Sequence, residues 1–139
     1  MTLELHATPE EVMRAVEALE RFAVEQSVPE NLVFGLKLAL EECASNIVNH
    51  ALRKDARQQF QVKLECCDNQ FLIELRDSGP AFDPTAVAAR PLQAEEDDLP
   101  GGWGIHLVRR YVDDIQYERS GDTNILRLTK RLELERGGH

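Results

Sequence analysis

F-Q-V-K-L-E-C-C-D-N-Q-F-L-I-E-L-R-D, residues 60–77, alternates apolar and polar side chains, breaks, and alternates again. Phe60, Val62, Leu64 and Cys66 share one parity, and Phe71, Ile73 and Leu75 repeat the pattern. A period of two marks a strand with one buried face. Asp68-Asn69 between the runs is turn chemistry, so the stretch reads as a β-hairpin. Two strands joined without a helix between them argue against a doubly wound parallel sheet, where each pair needs a crossover.

Upstream, Thr8-Pro9-Glu10-Glu11 is a helix start: Thr8 caps, Pro9 suits the first helical position and Glu11 completes a capping box. Val12, Val16, Leu19 and Ala23 follow at helical spacing. Pro29 opens a second helix that should run to about Leu52, with Leu32, Leu36, Ala39, Leu40, Cys43 and Ile47 as its apolar stripe. Leu3 and Leu5 read as a short first strand. Downstream, 80–102 is a proline- and alanine-rich loop carrying the acidic run Glu95-Glu96-Asp97-Asp98. A loop this long in a small domain is usually functional or disordered. A helix begins near Trp103, and two strands, split at Ser120-Gly121-Asp122, end the pattern.

The order β-α-α-β-β-loop-α-β-β predicts an α+β fold: a two-layer α/β sandwich, its mixed, mostly antiparallel sheet carrying helices on one face. The 139 residues fit one domain over 1–134 with a frayed tail at 135–139. One sheet face remains to be covered, and Phe60 or Cys67-type residues would cover it by forming a homodimer.

Bulk composition narrows the function. The net charge of −9 disfavours nonspecific nucleic-acid binding, which needs a cationic field, and suits a basic protein partner. No apolar run reaches membrane-spanning length and the N-terminus lacks a signal-peptide pattern, so a cytoplasmic protein is expected. Cys43, Cys66 and Cys67 have no metal-type spacing and read as thiols rather than a disulfide framework.

Three groups carry candidate chemistry. Glu42, Asn46 and His50, four apart, form one helical stripe bordering the apolar face, while Glu41 falls toward solvent. Their hard-oxygen groups suit Mg²⁺ with its waters, although a satisfied helix boundary would look the same. Asp77 has the parity of Phe71, Ile73 and Leu75, which aims its carboxylate at the core side of a strand end. An ionised carboxylate only accepts hydrogen bonds, as an exocyclic amino group requires, and Gly79 would let a flat ring approach. Asp-Ser-Gly-Pro is also ordinary turn chemistry. Gly101-Gly102-Trp103-Gly104 opens a helix, where free N–H groups attract anions.

Together these motifs resemble the gyrase/Hsp90/histidine-kinase/MutL ATPase superfamily. E-C-A-S-N-I-V-N-H (42–50) looks like its N-box, D-S-G-P-A-F-D (77–83) like its adenine-binding box, and G-G-W-G-I-H-L-V-R-R-Y-V-D (101–113) like its second glycine box. The nearest resemblance is to the anti-sigma-factor serine/threonine kinases of bacterial partner switching. That resemblance implies a Bergerat ATP-binding fold that binds ATP and Mg²⁺. Glu42 matches the general base, Asn46 the Mg²⁺ ligand, Asp77 the adenine-reading carboxylate with Gly79 beside the base, and Gly102 and Gly104 the phosphate-contacting end of an ATP lid at 84–102. Thr123, Asn124 and Thr129 stand as alternatives for a last adenine contact, and His50 receives no role. Pro100 stands where many family members have an arginine, and the acidic run 95–98 is expected to face solvent. The implied partners are a STAS-domain anti-sigma-factor antagonist, which would be phosphorylated, and a sigma factor or other regulator. A regulator-binding module without kinase activity and a detached histidine-kinase-like ATPase domain are the alternatives.

Overall fold

A computed structural model describes residues 1–53, 55–87 and 102–132. The elements are β1 (Thr2–His6), α1 (Pro9–Glu25), α2 (Glu30–Asn46), a π-helical turn (Ile47–Ala51), β2 (Gln59–Cys67), β3 (Gln70–Asp77), a 3₁₀ turn (Pro84–Val87), α3 (Gly102–Tyr111), β4 (Asp114–Ser120) and β5 (Thr123–Arg131). The body of the expected lid, its acidic run, Pro100, Gly101 and the 135–139 tail lie outside the described residues.

The strands form one sheet in the order β1-β2-β3-β5-β4, and every pairing is antiparallel. This is narrower than the mostly antiparallel sheet expected from sequence. The β2–β3 hairpin turns through Asp68 and Asn69, both with positive φ, as a two-residue turn requires. In the resulting register Val62 faces Leu75 and Leu64 faces Ile73. These four, with Phe60, Phe71, Leu126 and Leu128, pave the inner face and are essentially buried. Leu19, Leu36, Leu40, Ile105 and Val108 from the three helices complete the core.

Thr8 caps α1 by accepting from the Glu11 N–H at 3.2 Å. Glu11 closes only half of a capping box, since its Oε1 accepts from the His6 N–H rather than from Thr8. α1 ends with Ser27 in the left-handed region. The Val28 N–H donates to the Ala23 carbonyl and the Ser27 N–H to that of Val24. This double closure turns the chain into α2.

Two expectations need correction. α2 does not run unbroken to Leu52: it stops at Asn46 and widens into the π-helical turn, where the Leu52 N–H reaches the Ile47 carbonyl. Phe60 does not cover the outer sheet face, because its place opposite Leu5 and Asp77 puts it inside, 1 % exposed. The outer face is polar instead. Glu74 lies there, nearly buried beneath Arg76 (2.7 Å) and Arg127 (3.0 Å), and Arg127 also meets Glu118. Burial alone would raise the Glu74 carboxyl, but the hydrogen bonds from Arg76 and Arg127 outweigh it and hold the group below the usual glutamate range. A charge-paved face gives little apolar reason for a second copy to sit on it.

Among the described residues no helix is long and apolar enough to cross a membrane.

Candidate functional site

The end of α2, the ends of β3 and β4 and the start of β5 converge on one cleft. Cys43, Asn46 and Ile47 form one wall. Leu75, Asp77, Leu126, Asn124 and Tyr117 form the sheet side, and Phe82 and Pro84 lie across it. Asn46 and Asp77, paired only by resemblance in the sequence, are thus brought together. The cleft is nearly closed, with free space of about 20 Å³, room for a single water. Admitting a planar base requires the 82–84 segment or Tyr117 to move.

Asp77 ends β3 on the buried face, as its parity predicts, and is 5 % exposed. Its Oδ1 accepts from the Gly79 N–H (2.8 Å) and from Asn124 Nδ2 (3.0 Å). Among the described residues no bond falls on Oδ2, which leaves that oxygen as an acceptor. Of the three β5 alternatives, Asn124 is the one paired with Asp77 in the sheet. Asn124 is the residue on the inner face beside Asp77. Thr129 pairs with Leu72 on the outer face, and Thr123 shares its parity.

Asn46 is 8 % exposed and lines the cleft, yet among the described residues its amide has no side-chain hydrogen-bond partner. Its polar atoms are not fully buried, so the amide faces the free space of the cleft rather than standing as a buried unpartnered group. Glu42, one helical turn earlier, is half-buried. Burial pushes its carboxyl above the usual glutamate range, and the like charge of Glu41 pushes it further. Glu41, which the helical wheel places toward solvent, is itself partly exposed.

His50 lies in the π-helical turn that follows Asn46. Its ring stacks on Phe82, with centroids 6.0 Å apart and planes at 28°. The adenine-box carboxylate Asp83 accepts from the Thr85 N–H (2.9 Å) and hydroxyl, which starts the 3₁₀ turn. Gly102 and Gly104 lie in the first turn of α3. Burial pushes the Cys43 thiol up to about 12, so it is an inert core group.

Gly79 has a reason to be glycine that sequence did not show. A Cβ there would meet the Ala51 carbonyl oxygen at 2.5 Å, backbone against backbone. Gly79→Ala is therefore expected to cost about 1–3 kcal/mol of stability, as overpacking does. A urea melt with an unchanged midpoint would show that the π-helical turn yields freely.

Arg119 and Tyr117 were missed. Arg119 Nη1 donates to the Gly79 carbonyl (2.8 Å) and to Asn124 Oδ1 (3.2 Å), and the Tyr117 hydroxyl donates to the same Oδ1. Counting outward from the Gly121-Asp122 turn pairs Ser120 with Thr123 and Arg119 with Asn124, so the signal was present.

Comparison with known proteins bears on the family and the fold. The family model described as histidine kinase-like ATPase domain matches residues 5–130. The serine/threonine-protein kinase BtrW of Bordetella bronchiseptica is 33% identical over 129 residues, covering 92% of this chain and 91% of that protein. The serine-protein kinase RsbW of Listeria innocua is 26% identical, covering 84% and 77%. Among solved structures, the RsbU and RsbW domains of Rv1364c from Mycobacterium tuberculosis superpose with a TM-score of 0.67 at 17% identity, over 95% of this chain and 32% of that one. The SiaB-SiaC complex from Pseudomonas aeruginosa gives 0.66 at 12%, over 93% and 88%. The structural likenesses speak to the fold alone.

Proposed function

This chain belongs to the histidine kinase-like ATPase domain family, and we propose that it is an ATP- and Mg²⁺-dependent serine/threonine protein kinase. In this reading it also acts as an anti-sigma factor in a partner-switching system and phosphorylates a STAS-domain antagonist. The kinase names of its relatives BtrW and RsbW support the activity. The observation that carries the reading is the cleft itself. Asn46 and Asp77, on opposite walls, are nearly buried, yet each keeps a polar atom that has no partner among the described residues and can meet whatever enters.

The residues fit the nucleotide. Asp77 Oδ2 would accept from the exocyclic amino group of adenine between the apolar walls of Ile47, Leu75 and Leu126. Asn46 would offer its amide oxygen to Mg²⁺, a hard cation that takes oxygen ligands and keeps waters. When bound, Mg²⁺ neutralises charge on the phosphates. Gly102 and Gly104 would leave the N–H groups of the first turn of α3 open to phosphate oxygens. Glu42, its carboxyl held above the usual glutamate range by burial, would in its ionised form take the proton of a serine or threonine hydroxyl as that oxygen attacks the γ-phosphorus and ADP leaves. The unphosphorylated antagonist would compete with a sigma factor or other regulator for this chain.

The test is transfer from γ-labelled ATP with Mg²⁺ to STAS-domain proteins. Acid-stable label on one of them is the expected result. Acid-labile label would point to phosphohistidine instead, and no label at all would leave a nucleotide-dependent binding module.

A further inference from the structure

The loop that follows Asp77 has no regular structure of its own until the turn at Pro84–Val87, so something must hold it. Asn124 does much of this. Its Nδ2 donates to Asp77 Oδ1 (3.0 Å) and the Pro80 carbonyl (2.9 Å), and its Oδ1 accepts from the Phe82 N–H (3.3 Å), the Tyr117 hydroxyl and Arg119. Donors surround the oxygen and acceptors surround the nitrogen, so the amide has a single workable orientation. Arg119 joins this hub to the loop from outside. It sits near the end of the edge strand β4, directly opposite Asn124, and the same Nη1 also reaches the Gly79 carbonyl. Gly79 in turn donates its N–H to Asp77 Oδ1. One guanidinium therefore touches both ends of the arrangement that orients the Asp77 carboxylate.

We propose that Arg119 is a positioning residue for base recognition, clasping the 79–82 loop to Asn124 and so setting the direction of the Asp77 carboxylate. The inference rests on the nucleotide reading above and adds a determinant on a strand outside all three sequence motifs. Arg119 is solvent-exposed, so the clasp costs little desolvation, while its bonds are charge-assisted. It acts on the base end of the ligand. Its loss should therefore weaken adenosine, ADP and ATP alike, by about tenfold, the scale of one hydrogen bond from a charged donor.

The experiment compares wild type, Arg119→Ala and Arg119→Lys. Calorimetry with adenosine, ADP and ATP–Mg²⁺ is paired with amide hydrogen exchange on the nucleotide-free chain. The expected result for Arg119→Ala is a uniform loss of affinity for the three ligands. KM for ATP rises with kcat unchanged at saturation, and exchange is faster at Gly79 and Phe82 but not along β2 and β3. Lysine, which keeps a charged donor, should restore most of the affinity. Loss confined to ATP would make Arg119 a phosphate contact and overturn the clasp, as would unchanged exchange at Gly79 and Phe82. Wild type binding no adenosine while exchange behaves as expected would overturn the nucleotide reading, and with it this role for Arg119.

Discussion

Glu42→Gln is expected to lower phosphotransfer by about 10²–10⁴-fold, the usual contribution of a general base, while leaving ATP affinity unchanged. Glutamine keeps the size of the side chain and loses only the ability to take a proton. The pH profile adds a sharper signature. Burial, then the charge of Glu41, raises the Glu42 carboxyl, so the acid limb of the wild-type rate should lie above the ordinary glutamate range. Transfer should fall as the pH drops through that raised value, and the variant should lack this limb. Stability gives a second check. A carboxyl raised on folding adds stability when protonated and loses it as the pH rises through its folded value. The neutral variant should therefore melt no lower than wild type at neutral pH. Wild-type transfer rates in Glu42→Gln would remove this residue from the chemistry.

The second large effect belongs to Asp77→Asn. A buried carboxylate that reads an amino group is replaced by an amide whose NH₂ opposes that donor. ATP affinity should fall by about 10–100-fold, the range for losing a bond between a charged acceptor and its donor. Preference for ATP over GTP should shrink as well, because guanine carries a carbonyl oxygen where adenine carries its amino group, and an amide can donate to it. If Asp77 served only its own turn, through the Gly79 N–H, the variant would be less stable but would bind both nucleotides as wild type does. Calorimetric titration with each nucleotide decides between these.

Much of the fold was legible because backbone geometry writes itself into local periodicity. The alternation in 60–77 gave the hairpin. Thr8 and Pro9 gave the start of α1, and the shared parity of Asp77 with Leu75 gave its burial. Of the candidate site, Asn46 and Asp77 were legible as residues, since helical and strand periods place their side chains on the correct sides.

What remained hidden depends on distances between segments far apart in the chain. The placement of Asn124 beside Asp77, with Thr123 and Thr129 on the outer face, needed the pairing of β5 with β3. The stacking of His50 on Phe82 needed the loop after β3 to pass the end of α2, and no local period announces the π-helical turn there. Gly79 is glycine because the Ala51 carbonyl passes it, and Gly35 because the Tyr111 ring of α3 lies where its Cβ would be. Glu74 is buried on the outer face because Arg76 and Arg127 close over it from neighbouring positions. By itself the sequence determined which elements form, in what order, and which side chains face inward. Those features follow from the 3.6- and two-residue periods of single segments. Only the tertiary structure decided which side chains meet, because close approach and cross-strand pairing are properties of two segments at once.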